Sequence, residues 1–381
     1  MYLCNMKKRV LVSVSNDLYN DNRVLKTCNS LEKYGLSVTV VCKKATKQRK
    51  SQNVDFSTKY PKLQTIRLRF LFKKNVFYYA ELNLRMFFVL LFKRFDVLWA
   101  NDLDTLPANY LVSRLRKKPV IFDSHEMFCY VAELRVGSIQ QRVWLGLEKA
   151  IVPHLKYITT VCEPIKQYFF DKYKVNSEII RNIPLYSESN QTRKNYPFNE
   201  KYIIWQGSTN IDRGLEELVE SMQYVDCKLY ICGKGDIFQD LKNLIEKYSL
   251  HNKVFLLGKL PYEKMIEKTK NATLGISIDK PTNRNYAISL PNKIFEYINS
   301  AVPVLYSPLC EIKNIEDKFR CGVEIVSYQP LELAKQINEL INNDDLLQKL
   351  SDNCLVAQKQ LNWQQEEKTL FNLLDKIKAL D

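Results

Sequence analysis

Short runs of β-branched and other apolar residues alternate with stretches whose apolar positions recur every three or four residues, through nearly the whole chain. This is the pattern of βα units wound around parallel sheets. Val10–Val14 predicts a strand. A polar loop, Ser15–Asn22, follows, then a helix with Val24, Leu25, Cys28 and Leu31 on one face, stopped by Gly35. Further strands are predicted at Leu36–Cys42, Asp96–Ala100, Pro119–Asp123 and Ile158–Cys162. Between Asn182 and Glu200 the chain turns polar, bracketed by Pro184 and Pro197, and reads as a linker. The alternation then restarts. Strands are predicted at Tyr202–Trp205, Lys228–Cys232, Lys253–Leu257, Leu274–Ile278 and Val302–Leu305, with helices from Gly214, over Phe238–Tyr248 and over Asn292–Ser300. Trp363–Leu380 reads as one amphipathic helix carrying Leu370, Leu373, Leu374 and Ile377. The expectation is two doubly wound α/β domains, 1–186 and 201–360, joined by a linker at 187–200 and followed by a helix at 361–381. Such domains bind ligands beyond the carboxyl ends of their strands, and two in tandem would enclose a cleft.

Composition narrows the function classes. With 381 residues, 46% hydrophobic and 26% charged, the chain is long enough for two or three cores and is not disordered. Its ten cysteines stand singly, with no CxxC pair, so neither a zinc site nor a disulfide framework is expected, and a reducing cytoplasm is the better setting. The amino-terminal residues read as the approach to a first strand rather than a signal peptide. The longest apolar run, Met86–Phe92, falls short of the roughly 20 residues that cross a bilayer. The net charge is +15, unevenly placed: residues 1–190 carry 32 Lys and Arg against 16 Asp and Glu, residues 191–381 carry 25 against 26. Charge alone suggests nucleic acid, but no compact basic motif with stacking aromatics accompanies it, so no nucleic-acid partner is expected.

Candidate chemistry falls in loops that follow strands. Trp205-Gln-Gly-Ser-Thr-Asn-Ile-Asp-Arg-Gly214 joins a strand to a helix; Gly207 permits close backbone approach and Arg213 sets a permanent charge at the helix start, a phosphate site or an ordinary βα turn. Ile231–Asp236 is a glycine-bearing turn without the spacing of a dinucleotide fingerprint. In Ser289-Leu-Pro-Asn-Lys-Ile-Phe-Glu-Tyr297, Pro291 opens a helix whose free amides suit pyrophosphate oxygens, with Lys293 beside them. Glu296 lies three residues along the same face, placed for ribose hydroxyls, although a solvated Pro-capped helix has the same pattern. In the first half, Phe122-Asp-Ser-His125-Glu126 carries one of three histidines, which could hold or donate to a sugar hydroxyl. Asn101-Asp-Leu-Asp104 offers carboxylates for sugar hydroxyls or for helix capping.

In this order, the segments resemble the GT-B glycosyltransferases, specifically the retaining glycosyltransferase family 4. The most specific are S-L-P-N-K-I-F-E-Y-I…P-V-L, G-S-T-N-I-D-R-G, V-F-L-L-G-K-L and D-S-H-E. The resemblance implies two Rossmann-like domains, an acceptor held by the first, a nucleotide-sugar donor held by the second, and a closing helix that packs back on the first. It implies no metal and no cofactor, the donor being a UDP- or GDP-sugar substrate. It assigns Glu296 to the donor ribose, and Arg213 and Lys293 to the diphosphate. Gly207, Ser208, Ser289, Leu290, Pro291 and Asn292 fall to donor sugar and phosphate, and the turn Gly258, Lys259 and Leu260 to the base. His125 falls near the donor sugar. The loop Ser15–Arg23, with Asn16, Asp17, Asn22 and Arg23, lies close to both substrates. Asp102, Asp104 and Glu126 complete an acceptor-binding set, and His125, Arg213 and Lys293 a catalytic one. Two positions depart from the family pattern. Ile288 stands where a second glutamate is frequent and Ser208 where an arginine is frequent; Lys293 would supply the missing charge.

With no carboxylate placed as a covalent nucleophile, retention by front-face attack is expected. The rivals are a non-hydrolysing sugar-nucleotide epimerase, against which the shortage of histidine argues, and a non-catalytic nucleotide-sugar or polysaccharide binder. The Lys, Asn and Tyr-rich composition points to a bacterial source and to surface polysaccharide assembly on a lipid-linked glycan. Residues 43–94 fit that setting, with 14 Lys and Arg against 2 acidic residues. Among them stand Phe70, Phe72, Phe77, Tyr78, Tyr79, Phe87, Phe88 and Phe92, a composition expected at an anionic membrane surface. The expected location is the cytoplasm, peripherally on the inner face of the plasma membrane.

Overall fold

The computed structural model describes residues 7–19, 21–45, 63–72, 75–131, 134–187, 195, 196, 198 and 200–378. Most of the polar linker, and the whole of residues 46–62 in the basic stretch, lie outside these residues. The chain divides into two compact units, Met1–Arg181 with Glu367–Asp381, and Asn182–Glu366.

The first unit runs β1 (Arg9–Ser13), α1 (Asn22–Lys33), β2 (Ser37–Lys43), β3 (Gln64–Leu68), α2 (Asn75–Phe92), β4 (Val97–Asn101), α3 (Asp102–Arg116), β5 (Val120–Ser124), α4 (Ile139–Ile151), β6 (Tyr157–Thr160), α5 (Glu163–Tyr173) and β7 (Glu178–Ile179). Its seven strands pair in parallel, in the order β3-β2-β1-β4-β5-β6-β7. Strands β1, β4 and β5 are buried nearly throughout, which explains why their sequence is a continuous apolar run rather than an alternation. Asp21 caps α1, accepting from Val24 N at 3.1 Å.

Strand β3, helix α2 and the two-residue strand β7 have no counterpart in the sequence pattern. Strand β3 sits at the sheet edge and mixes polar with apolar residues, so it lacks an apolar stripe. Helix α2 is apolar on almost every side: Leu82, Met86 and Leu90 face the core while Phe77, Leu84, Phe88 and Phe92 are exposed. Such a helix shows no amphipathic period to read.

The second unit runs β8 (Tyr202–Gln206), α6 (Leu215–Ser221), β9 (Lys228–Cys232), α7 (Phe238–Lys247), β10 (Val254–Gly258), α8 (Tyr262–Lys270), β11 (Leu274–Ser277), α9 (Arg284–Ala287), α10 (Asn292–Asn299), β12 (Val304–Tyr306), α11 (Cys310–Phe319), β13 (Gly322–Glu324), α12 (Pro330–Ile341) and α13 (Asp344–Gln358). Its parallel sheet has the order β10-β9-β8-β11-β12-β13. Alternate residues of β8 feed two cores: Ile203 and Trp205 pack with α6 and α7, Tyr202 and Ile204 with α10 and α11. Helix α10 is pinned by Tyr297, whose hydroxyl lies 3.1 Å from both Ile204 O and Ile276 O and shares its one proton between them. Its ring lies on Gly275, where a Cβ would come within 2.6 Å of the ring atoms. Any larger residue at 275 would displace the helix that carries Lys293 and Glu296.

The last helix, α14 (Trp363–Lys378), begins in the second unit and ends in the first. Trp363 N donates to Pro184 O at 2.9 Å, and Gln364 exchanges two 3.0 Å bonds with the Tyr186 backbone. Farther on, Glu367 accepts from Ser30 Oγ at 2.7 Å and Lys33 Nζ at 2.5 Å, and Asp375 accepts from Tyr34.

Each sheet reverses its winding once, between β1 and β4 in the first unit and between β8 and β11 in the second. Loops leaving adjacent strands diverge there, which opens a crevice at the carboxyl edge.

Candidate active site

At the first unit's switch point, the loops after β1, β4 and β5 bring Arg23, Asp102, Asp104, Asp123 and His125 together. Asp123 ends an apolar strand with no exposed surface. It accepts from Arg23 NH2 at 2.5 Å, Arg23 Nε at 3.2 Å and Thr159 Oγ1 at 2.8 Å. Arg23 also donates to Ile180 O at 2.7 Å. His125 Nε2 lies 3.2 Å from Asp123 and its Nδ1 3.1 Å from Asp102, whose other oxygen takes the His125 backbone N–H at 2.9 Å. Asp102 takes φ +58°, a left-handed conformation that Asp tolerates better than most residues, and this turns its carboxylate toward His125.

With a carboxylate on each ring nitrogen, His125 is an imidazolium. Burial opposes that charge, but Asp102 and Asp123 outweigh it and push its pKa up to about 10. Asp123, although buried, is held well below the usual carboxylate range by Arg23 and His125. Asp104 behaves oppositely. Burial, aided by repulsion from Asp102, raises it to about 7, and one of its carboxylate oxygens has no hydrogen-bond partner.

The remaining residues named for the acceptor are distributed differently. Asn16 builds its own loop, donating to Asp21 at 2.7 Å and accepting from Leu18 N at 2.8 Å. Asn22 is exposed at the start of α1, while Asp17 and Glu126 are half-buried nearby. Arg23 is 4% exposed and its guanidinium faces Asp123 and Ile180 O, so it holds the cluster together rather than presenting a free charge.

At the second unit's switch point, the loops after β8 and β11 and the start of α10 converge. Arg213 NH1 lies 3.0 Å from one oxygen of Asp279, and Lys293 Nζ lies 3.1 Å from the other. The Arg213 guanidinium lies over the Tyr286 ring at 4.3 Å, and Lys293 over Trp205 at 4.3 Å. Burial and Arg213 lower the Lys293 pKa while Asp279 raises it, leaving it at about 8. One turn along α10 from Lys293, Glu296 accepts from Gln206 Nε2. Gln206 is fixed in turn by Thr269, whose hydroxyl donates to its carbonyl at 2.8 Å.

Gly207 and Ser208 are exposed in the loop after β8. Leu290 and Pro291 lead into α10, whose first residue, Asn292, is exposed. The Ser289 hydroxyl donates back to Tyr286 O at 2.9 Å. Gly258, Lys259 and Leu260 form the turn between β10 and α8. A hollow of about 290 Å³ reaches Leu260, lined also by Tyr202, Lys264 and Lys268. A larger one of about 440 Å³ lies at the amino ends of β8 and β9, away from these residues. Its lysines are already bonded, Lys201 to Ile341 O, Lys228 to Glu200 and Lys253 to Val225 O.

Sequence reasoning did not single out Asp279, Asp123, Gln206 or Tyr286. A signal existed for the first two, since each is an acidic residue at the carboxyl end of an apolar strand beside a switch point. Among the described residues, no cluster of His, Cys, Asp and Glu is suited to hold a metal ion.

Comparison with known proteins speaks to family and fold. Residues 188–354 match the family model for glycosyl transferases group 1, and residues 21–185 that for glycosyltransferase family 4. No curated protein sequence matches the chain. Among solved structures, HepE from Anabaena, in complex with UDP and glucose, superposes with a TM-score of 0.73 at 14% identity, covering 97% of this chain and 100% of that one. Sucrose-phosphate synthase from Thermosynechococcus elongatus gives 0.75 at 14% identity, over 98% and 100%. WaaG, a glycosyltransferase involved in lipopolysaccharide biosynthesis, gives 0.65 at 13% identity, over 96% and 99%. At such identities these likenesses speak to the fold. With the two family models matching in tandem, the chain belongs to the GT-B glycosyltransferases of the family 4 type.

Proposed function

We propose that this enzyme transfers a glycosyl group from a UDP- or GDP-sugar to a hydroxyl of a glycan acceptor with retention of anomeric configuration. The observation that carries the reading is the placement of Arg213 and Lys293 on Asp279, with Glu296 one turn along α10, at the switch point of the second unit. The anomeric carbon–phosphate oxygen bond breaks as charge develops on the diphosphate, and the two cations stabilise it. The bond to the acceptor oxygen forms on the same face, and the acceptor proton passes to the leaving phosphate oxygen. Glu296 takes the donor ribose hydroxyls. Metal is not required for this charge stabilisation, because fixed cations supply it. His125, an imidazolium, donates hydrogen bonds and is not a base. The reading is supported by the Anabaena neighbour, which holds UDP and glucose. Arg213→Ala and Glu296→Ala should each abolish most turnover of a nucleotide sugar in a panel assay; unchanged rates for both would overturn the site.

We infer further that the acceptor is lipid-linked, in assembly of a surface polysaccharide, and that the first unit docks on an anionic bilayer from the cytoplasmic side. Among the described residues, no helix is long and apolar enough to cross a membrane. The support lies at the joined carboxyl ends of α2 and α3, where Arg116 donates to Leu91 O at 2.6 Å. Phe88, Phe92, Leu111 and Leu115 are about half or more exposed there, amid exposed Lys93, Arg94, Arg114 and Lys117. Phe72 and Phe77 are exposed too, but Tyr78 is buried, donating to Ser15 O at 2.8 Å, so it belongs to the core and not to the docking surface expected of it. The docking face thus extends past residue 94 into α3. Seven of the fourteen cations of that stretch, Lys47, Arg49, Lys50, Lys59, Lys62, Lys73 and Lys74, lie outside the described residues. Flotation with phosphatidylglycerol vesicles tests it: Phe92→Ser combined with Lys93→Ser should release the protein, and undiminished binding would refute the face.

A further inference from the structure

We propose that Asp279 is a positioning residue of the donor site, holding Arg213 and Lys293 apart and charged at the spacing that a diphosphate then meets. The inference rests on the donor-site reading above and adds a residue to it. Asp279 has no exposed surface, and its two carboxylate oxygens are divided between the two cations at 3.1 Å and 3.0 Å. Its backbone is fixed as firmly: its carbonyl accepts from Ser307 Oγ at 2.7 Å and Tyr328 OH at 3.2 Å. The next residue ties to the Arg213 loop, Lys280 N donating to Asp212 O at 2.8 Å. Gly214 makes that approach possible. It adopts φ +68°, and a Cβ there would stand 2.4 Å from Ile278 O. Carboxylate and loop are therefore locked together.

Without Asp279, two cations would face each other against aromatic rings, with burial favouring loss of the Lys293 proton. The groups facing Lys293 are Asp279 from the β11 loop, Arg213 from the loop before α6 and the Trp205 ring from β8. Glu296, on the same helix, engages Gln206. Asp279 is the carboxylate that keeps Lys293 protonated at neutral pH, and the trio carries a net single positive charge. A carboxylate that only stabilised the fold would not couple donor affinity to pH.

The experiment is UDP binding by calorimetry from pH 7.0 to 9.5; the uracil N3 proton of UDP begins to ionise toward the upper end, so each variant is read as its ratio to wild type at the same pH, which cancels the ligand's own titration. Wild-type affinity should fall through an inflection near pH 8. Asp279→Asn should weaken binding about tenfold at pH 7, with the ratio to wild type shrinking to threefold or less at pH 9.5. Lys293→Gln should remove the inflection, a result readable even where Asp279→Asn fails to fold. A ratio constant over the range, or an inflection that survives in Lys293→Gln, would overturn the proposal while leaving the donor site standing. Wild-type protein that binds neither UDP nor GDP would overturn the donor site itself, and this inference with it.

Discussion

The two switch points are built from similar residues and balanced differently. In the first unit, Arg23 and His125 face Asp102 and Asp123, so these four charges cancel, and Asp104, its pKa raised to about 7, is about half protonated at pH 7. In the second unit, two cations share one carboxylate, leaving an excess of one positive charge. A balanced cluster suits an uncharged partner such as a sugar hydroxyl, for which orientation matters more than charge. An unbalanced one suits an anion that completes it. The contrast shows that a cluster's catalytic role is read from its remainder rather than from its residue types.

The largest test of this contrast is His125→Ala. It leaves the buried Asp123 and the partly exposed Asp102 beside one arginine, and should destabilise the protein by about 3 kcal/mol, read as the loss of unfolding free energy in urea. Stability unchanged within 1 kcal/mol would show that the first cluster is not balanced by His125. Arg213→Ala comes next. Turnover should fall roughly 100- to 1000-fold, the range for removing one group that stabilises developing charge, with a melting temperature close to wild type. A large melting shift with mild loss of turnover would reverse the assignment of roles.

Asp104→Asn is third, and its sign follows from linkage. The folded carboxyl titrates near 7 and the unfolded one near 3.9, so the folded state holds a proton that the unfolded state has lost between those values, and stability drops as pH rises through that window. The amide removes the drop. The variant should be more stable than wild type at pH 8, by about 2–4 kcal/mol from the size of the shift, with the gain vanishing below pH 4. A gain independent of pH would sink the explanation. The smallest effect is that of a single docking charge. Lys117→Gln should weaken binding to anionic vesicles by about 1 kcal/mol, and the deficit should disappear in high salt.

Much of the architecture was legible because buried parallel strands announce themselves as apolar runs. Val10–Val14 and Lys228–Cys232 were found within a residue of β1 and β9. Strand β3 and helix α2 were not, one because a polar edge has no stripe, the other because an apolar surface has no period. At the site, residues beside glycine or proline punctuation, such as Arg213 and Lys293, stood out. Asp279 did not, because its meaning depends on two partners at positions 213 and 293 that only the folded sheet brings to it. Asp104 was legible as a carboxylate near a helix start, but its shift toward neutrality depends on burial, which one sequence does not display.

Helix α14 gives the first unit an unusual place in the order of synthesis. Ser30 and its partner Glu367 are separated by 337 positions. At a translation rate of about 5–20 residues per second, roughly 17–70 s pass between the making of the two. The half that leaves the ribosome first is therefore completed last, with the back of α1 waiting uncovered while the entire second unit is made. A carboxyl-terminal truncation, or a stalled ribosome, would damage the amino-terminal half rather than the end it shortens.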